Sequence, residues 1–131
     1  MKAFEYKKEH PLRKTILIVD DEEDLLEILR THLEDEGYHV MVACNGIEGL
    51  EIAKHEKPDL ILLDIAMPRM GGLQMLETLK GLKGFAATPV VMLTAQGQTS
   101  NILEADRLRA ADFLIKPFTH KELLQTVRKI L

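Results

Sequence analysis

The sequence predicts an α/β domain: a doubly wound, five-stranded parallel sheet with helices on both faces. Two patterns carry this reading. Short apolar runs alternate with amphipathic stretches along the chain, as strand–helix crossovers in a parallel sheet require. Three of the runs are apolar throughout, as strands are when both sheet faces are covered. Size bounds the answer: 131 residues, 46% hydrophobic and 29% charged, make one domain with enough aliphatic material for a core.

Ile16–Val19 is the first strand, a continuous apolar run ended by acids. A helix follows over residues 22–36, where Leu25, Leu29 and Leu33 fall at i, i+4 and i+8 with Ile28 beside them. Gly37 is its natural stop. Tyr38–Val42 is the second strand. Asn45 is placed to cap a helix over 46–56, in which Ile47, Leu50 and Ala53 recur at three-residue spacing and Ile52 widens the apolar side. Pro58 breaks the chain before the third strand, Leu60–Leu63. Gly71 and Gly72 open a third helix with Leu73, Leu76 and Leu79 inward.

Gly81 and Gly84 punctuate a loop, and Pro89 leads into the fourth strand, Val90–Leu93. Residues 99–109 form a weaker helix, polar on most sides. Phe113–Ile115 is a short fifth strand. Thr119 caps a last helix with Leu123, Leu124, Val127 and Ile130 on its inner side. Right-handed crossovers between five such strands fit the flavodoxin-like order 2-1-3-4-5.

Composition narrows the function. The net charge of −4 argues against direct nucleic-acid binding, which needs a basic excess. Cys44 is the only cysteine, so a disulfide scaffold is excluded and a reducing cytoplasm is expected. No apolar run approaches the roughly 18–20 residues of a membrane span. The domain is expected over 14–131. Residues 1–13, with Phe4 and Tyr6 among Lys2, Lys7, Lys8 and Arg13, read as a flexible basic leader.

In doubly wound sheets the site lies outside the carboxyl ends of the strands. There the first strand ends in Asp20 and Asp21, the third in Asp64, the fourth in Thr94 and the fifth in Lys116. Each residue alone has an ordinary explanation: acids suit a helix start, and a lone lysine is commonly solvated. Their shared position is the signal. Three carboxylates brought together repel, so one takes up a proton or the group holds a cation. With only oxygen ligands to offer, the group suits Mg²⁺. A carboxylate can attack phosphorus to form an aspartyl phosphate. A cation and a lysine would neutralise the phosphoryl oxygens, and the Thr94 hydroxyl could bond one of them.

The motifs Val19-Asp20-Asp21-Glu22, Asp64-Ile65-Ala66-Met67-Pro68-Arg69-Met70-Gly71-Gly72, Leu93-Thr94-Ala95 and Lys116-Pro117-Phe118 resemble the receiver domain of two-component response regulators. The resemblance covers about residues 14–131. It implies that Asp64 is the phosphoacceptor, charged by a histidine kinase or a histidine phosphotransfer protein. Asp21 holds Mg²⁺, with Asp20 joining directly or through water, and the Ala66 carbonyl completes the ligands. Lys116 pairs with Asp64 and then with the phosphate. Thr94 moves toward the phosphate as Phe113 rotates inward. Two departures from the family pattern stand out: Gly71 where Asp or Asn is common, and Arg109-Ala110-Ala111 where a Gly often stands. Ala66 and Gln96 hold positions that tune phosphate lifetime in relatives.

The expected function is a phosphorylation-activated switch rather than an enzyme. It would change a helix 4–strand 5–helix 5 surface, roughly residues 99–131, to control a partner protein. The chain ends with the last helix, so a stand-alone receiver is expected, as a monomer or weak homodimer. The alternatives are a small Mg²⁺-dependent phosphohydrolase and a receiver-like binding module that does not switch. His10, His32, His39, His55 and His120 read as scattered surface or structural residues. Met41, Met67, Met70, Met75 and Met92 read as core or loop filling, and Cys44 as semi-buried.

Overall fold

The computed structural model describes residues 13–131. Five strands, β1 (Thr15–Val19), β2 (His39–Ala43), β3 (Leu60–Asp64), β4 (Val90–Ala95) and β5 (Asp112–Lys116), alternate with five helices. The helices are α1 (Glu23–Asp35), α2 (Gly46–Glu56), α3 (Gly72–Gly81), α4 (Thr99–Arg107) and α5 (His120–Ile130). The sheet is parallel in the order β2-β1-β3-β4-β5, as the alternation predicts. Of the leader expected over 1–13, all but Arg13 lies outside the described residues. The Arg13 guanidinium donates to the Gly37 and Tyr38 carbonyls, 3.0 Å each.

Every residue of β1 and β3 is buried, and their side chains alternate between two cores. Leu17, Val19, Ile61 and Leu63 face α2, α3 and α4; Ile16, Ile18, Leu60 and Leu62 face α1 and α5. This alternation is the two-residue period of a strand with both faces covered. Each fully buried aliphatic side chain contributes about 1.5–3 kcal/mol relative to an exposed one.

Several helix faces are turned from the expected direction. On α1 the buried residues are Leu26, Leu29 and Leu33, while Leu25 is half-buried and Ile28 is 52% exposed. Leu26 and Leu25 are equally apolar, and periodicity alone does not choose between them. On α2, Ile47 is exposed and the inner face is Gly46, Gly49, Leu50 and Ala53. A Cβ on Gly46 would lie 2.6 Å from the Met70 carbonyl oxygen, and one on Gly49 2.9 Å from Val19 Cγ2. Bare backbone makes that contact, so hydrophobicity gives no sign of it. On α3, Met75 joins Leu76 and Leu79 inside while Leu73 is half-buried.

At the far edge, β5 buries only Leu114, and among the described side chains α4 buries only Ala105. Cys44 is exposed rather than semi-buried: it lies in the loop between β2 and α2, just past the sheet. The histidines are not all scattered: His32 of α1 and His120 of α5 bring their ring centroids to 4.2 Å. They belong to separate elements, so spacing within one helix does not reveal the pair. Thr119 and Glu122 form a reciprocal capping box at the start of α5. No helix among the described residues is long and apolar enough to cross a membrane.

Candidate functional site

The carboxyl ends of β1, β3, β4 and β5 meet at one edge. Asp20 is fixed first: its backbone N–H donates to the Ala43 carbonyl at 3.1 Å, and its side chain is fully buried. The next strand in the sheet ends in Asp64, whose side chain is 8% exposed. The loop behind Asp64 is tight. The Gly72 N–H donates to the Ile65 carbonyl at 2.8 Å, and a Cβ on Gly72 would lie 2.1 Å from the Asp64 carbonyl oxygen. Only glycine allows α3 to start that close to β3.

One oxygen each from Asp20, Asp21 and Asp64 lies within 4.8 Å of the others. Asp20 and Asp64 are buried and Asp21 is exposed, giving a cluster with two fixed members and one open to solvent. The Lys116 ammonium enters from β5. It donates to Asp20 Oδ2 at 2.8 Å, Glu22 Oε1 at 3.2 Å and Asp64 Oδ1 at 3.4 Å. The peptide bond after it, Lys116–Pro117, is cis. Thr94 is 1% exposed, and its hydroxyl donates weakly to the Ala95 carbonyl at 3.4 Å. A pocket of about 300 Å³ is lined by Asp21, Glu22, Asp64, Ala66, Thr94, Gln98 and Lys116, among others.

The electrostatics follow from this crowding. Burial, then the charge of Asp20, pushes the Asp64 carboxyl up to about 6 from its ordinary 3.8. The Lys116 charge and hydrogen bond oppose the rise, and Asp21 adds to it. Burial alone would lower the Lys116 ammonium; the hydrogen bond and charge of Asp20 outweigh it and hold Lys116 above its usual range. Three carboxylates and one ammonium leave excess negative charge, with oxygen as the only donor. That donor set fits a hard divalent cation such as Mg²⁺.

Asp20, Asp21, Asp64, Ala66, Thr94 and Lys116 therefore share one edge. Phe113 does not join them: it is 43% exposed and does not line the pocket. Glu22 and Gln98 line it without having been assigned a part. Glu22 stands next to the acid pair in sequence, and that adjacency was the available signal. A larger groove of about 420 Å³ opens between α1 and α5. Leu25, Ile28, Leu29, Phe118 and Leu123 line it, and it shares Glu22 and Lys116 with the acidic pocket. Ile28, grouped with the apolar face of this helix in the sequence, is 52% exposed and lines the groove.

Residues 16–128 match the model of the response regulator receiver domain. The chain is 38% identical over 120 residues to the alkaline phosphatase synthesis transcriptional regulatory protein PhoP of Bacillus subtilis, covering 92% of this chain and 49% of the relative. It is 41% identical over 116 residues to the transcriptional regulatory protein CpxR of Escherichia coli K12, covering 88% and 48%. The chain thus spans about half the length of these curated relatives. Among solved structures, the chemotaxis protein CheY4 of Vibrio cholerae superposes with a TM-score of 0.86 at 30% identity, covering 91% of this chain and 99% of that one. The chain belongs to the response regulator receiver domain family of two-component signalling.

Proposed function

We propose that Asp64 accepts a phosphoryl group and that its phosphorylation switches the surface of the domain. The observation that carries this is Asp64 itself. It is a nearly buried carboxylate at the end of a central strand, flanked by Asp20 and Asp21 and faced by the Lys116 ammonium. In the transfer, an Asp64 carboxylate oxygen forms a bond to phosphorus as the bond from phosphorus to a histidine ring nitrogen breaks. The imidazole leaves with the electron pair. Asp20, Asp21, Asp64 and the Ala66 carbonyl are the groups that would hold Mg²⁺, which when bound offsets the carboxylate charge and that of the phosphoryl oxygens. Lys116 follows the phosphoryl oxygens as they arrive, and Thr94 turns its hydroxyl from the Ala95 carbonyl toward them.

The donor is a histidine kinase or a histidine phosphotransfer protein. It must cover this edge of the sheet, and the apolar α1–α5 groove is the adjoining surface suited to it. The output face is α4–β5–α5. Leu103 (66%), Phe113 (43%) and Ile115 (41%) expose apolar surface there, which supports a protein partner. Inward rotation of Phe113 would change that surface.

Intact mass after incubation with Mg²⁺ and acetyl phosphate tests the reading. The expected result is a gain of about 80 Da, one phosphoryl group, absent without Mg²⁺ and absent in Asp64→Asn. An equal gain in Asp64→Asn places the chemistry elsewhere and defeats the proposal.

A further inference from the structure

The Lys116 ammonium is shared among three carboxylates, and the one it must serve in phosphoryl capture is the most distant. Asp20 lies at 2.8 Å, Glu22 at 3.2 Å and Asp64 at 3.4 Å. Glu22 holds an unusual place. It is the N-cap residue of α1, yet its side chain makes no capping bond to that helix. Ser, Thr, Asp or Asn would normally cap there. The carboxylate reaches across to Lys116 of β5 instead, while its backbone N–H donates to Asp20 Oδ1 at 2.9 Å. One residue thus secures both the lysine and the lysine's nearest acceptor.

We infer that Glu22 is a positioning residue that draws Lys116 toward the β1 side of the pocket, leaves its bond to Asp64 the longest of the three, and so slows phosphoryl capture. This rests on the reading of Asp64 as phosphoacceptor. An approaching phosphodonor is anionic and needs the ammonium free to follow its oxygens. Each carboxylate that competes for Lys116 delays that movement. Asp20 is buried and cannot release the lysine to solvent, whereas the Glu22 side chain is 63% exposed and can swing away. Glu22 is therefore the adjustable member of the three.

The test compares Glu22→Gln with Glu23→Gln. Glu23→Gln removes the same charge from the next residue, but Glu23 lines a separate pocket beside Cys44 rather than the acidic one. Mg²⁺ affinity is measured first by calorimetry, and each protein is then labelled with acetyl phosphate at saturating Mg²⁺. Beryllofluoride binding, followed by NMR, supplies a readout without turnover.

Loss of a partly exposed ion pair predicts labelling about two- to five-fold faster in Glu22→Gln, with beryllofluoride tighter by a similar factor. Glu23→Gln should stay near wild type, and Mg²⁺ affinity should change by less than about twofold in either. Labelling at or below the wild-type rate in Glu22→Gln overturns the inference. So does equal acceleration in Glu23→Gln, which would make net charge the cause, or a large loss of Mg²⁺ affinity, which would make Glu22 a metal residue. Failure of wild type to label or to bind beryllofluoride sinks the Asp64 reading itself, and this inference falls with it.

Discussion

The centre of the sheet and its β5 side are built differently. In β1 and β3 every residue is buried, and Asp20 and Asp64 are held at the ends of those strands. On the β5 side only Leu114 of the strand is buried, α4 covers little, and Leu103, Phe113 and Ile115 face outward. Yet Lys116 carries this looser side to the same pocket, beside Thr94 of the buried strand β4. A packed interior resists displacement, since its side chains have no alternative arrangement without voids. A thinly covered edge has few apolar contacts to lose. The difference teaches that Asp20 and Asp64 stand on the packed centre of the sheet, whereas Lys116 reaches them from a thinly covered edge.

The largest expected effect measures that contrast directly. Leu62 is 0% exposed and Leu103 is 66% exposed. Leu62→Ala should cost about 2–5 kcal/mol of unfolding free energy, through lost burial and a residual cavity. Leu103→Ala should stay within about 0.5 kcal/mol while removing apolar surface from the proposed output face. Urea unfolding of both variants decides it. Equal losses would erase the distinction between the two sides.

The next effect concerns what a fixed carboxylate costs the fold. Without metal, folded Asp64 keeps its proton up to about pH 6, while the unfolded chain releases it near 3.8. Between those values the folded state binds more protons, so stability falls as pH rises through the window. Lys116 keeps Asp20 and Glu22 as partners when Asp64 is neutral. Asp64→Asn should therefore exceed wild type in stability above pH 6, by at most about 3 kcal/mol. The gain should shrink toward about pH 4. Urea unfolding in EDTA at about pH 7.5 and about pH 4 checks the sign. A variant no more stable at the higher pH would mean that burial does not penalise this carboxylate.

The same contrast governs how much was legible beforehand. The sheet order and the shared position of Asp20, Asp21, Asp64, Thr94 and Lys116 could be read from the sequence, because strand alternation and strand-end position are properties of one chain direction. Helix rotation was less legible. Leu25 and Leu26 are both leucine, and α2 packs through Gly46 and Gly49, whose value lies in what they lack. Beyond the Lys116–Asp64 pairing that the family resemblance implied, contacts between distant elements were not legible. Glu22 meeting Lys116, and His32 meeting His120, depend on where two helices and a strand end in space. Phe113 stands in the expected strand, but its outward direction belongs to the thin cover over β5.

The smallest effect sets one helix ending against another. α1 and α4 close in the same Schellman arrangement. After α1, Gly37 N–H donates to the Glu34 carbonyl at 3.0 Å and Tyr38 N–H to the Leu33 carbonyl at 3.2 Å. After α4, Arg109 donates to Asp106 and Ala110 to Ala105, both at 2.9 Å. The motif needs a left-handed residue at its turn, and the two φ values are +97° at Gly37 and +69° at Arg109. Glycine adopts that conformation freely; an arginine Cβ crowds the following carbonyl. The Arg109 charge also helps lower the Lys80 ammonium, after the larger effect of burial, while Lys80 ties the Ala86 and Thr88 carbonyls. Arg109→Gly should therefore stabilise the domain by about 1 kcal/mol, and Gly37→Arg should destabilise it by a similar amount. Nothing lies within 4 Å of a Cβ at Gly37, so the exchange reads backbone strain without a clash. Opposite shifts in urea midpoint would locate that strain on the looser side of the sheet; no gain in Arg109→Gly would show that this side carries no strain at the turn.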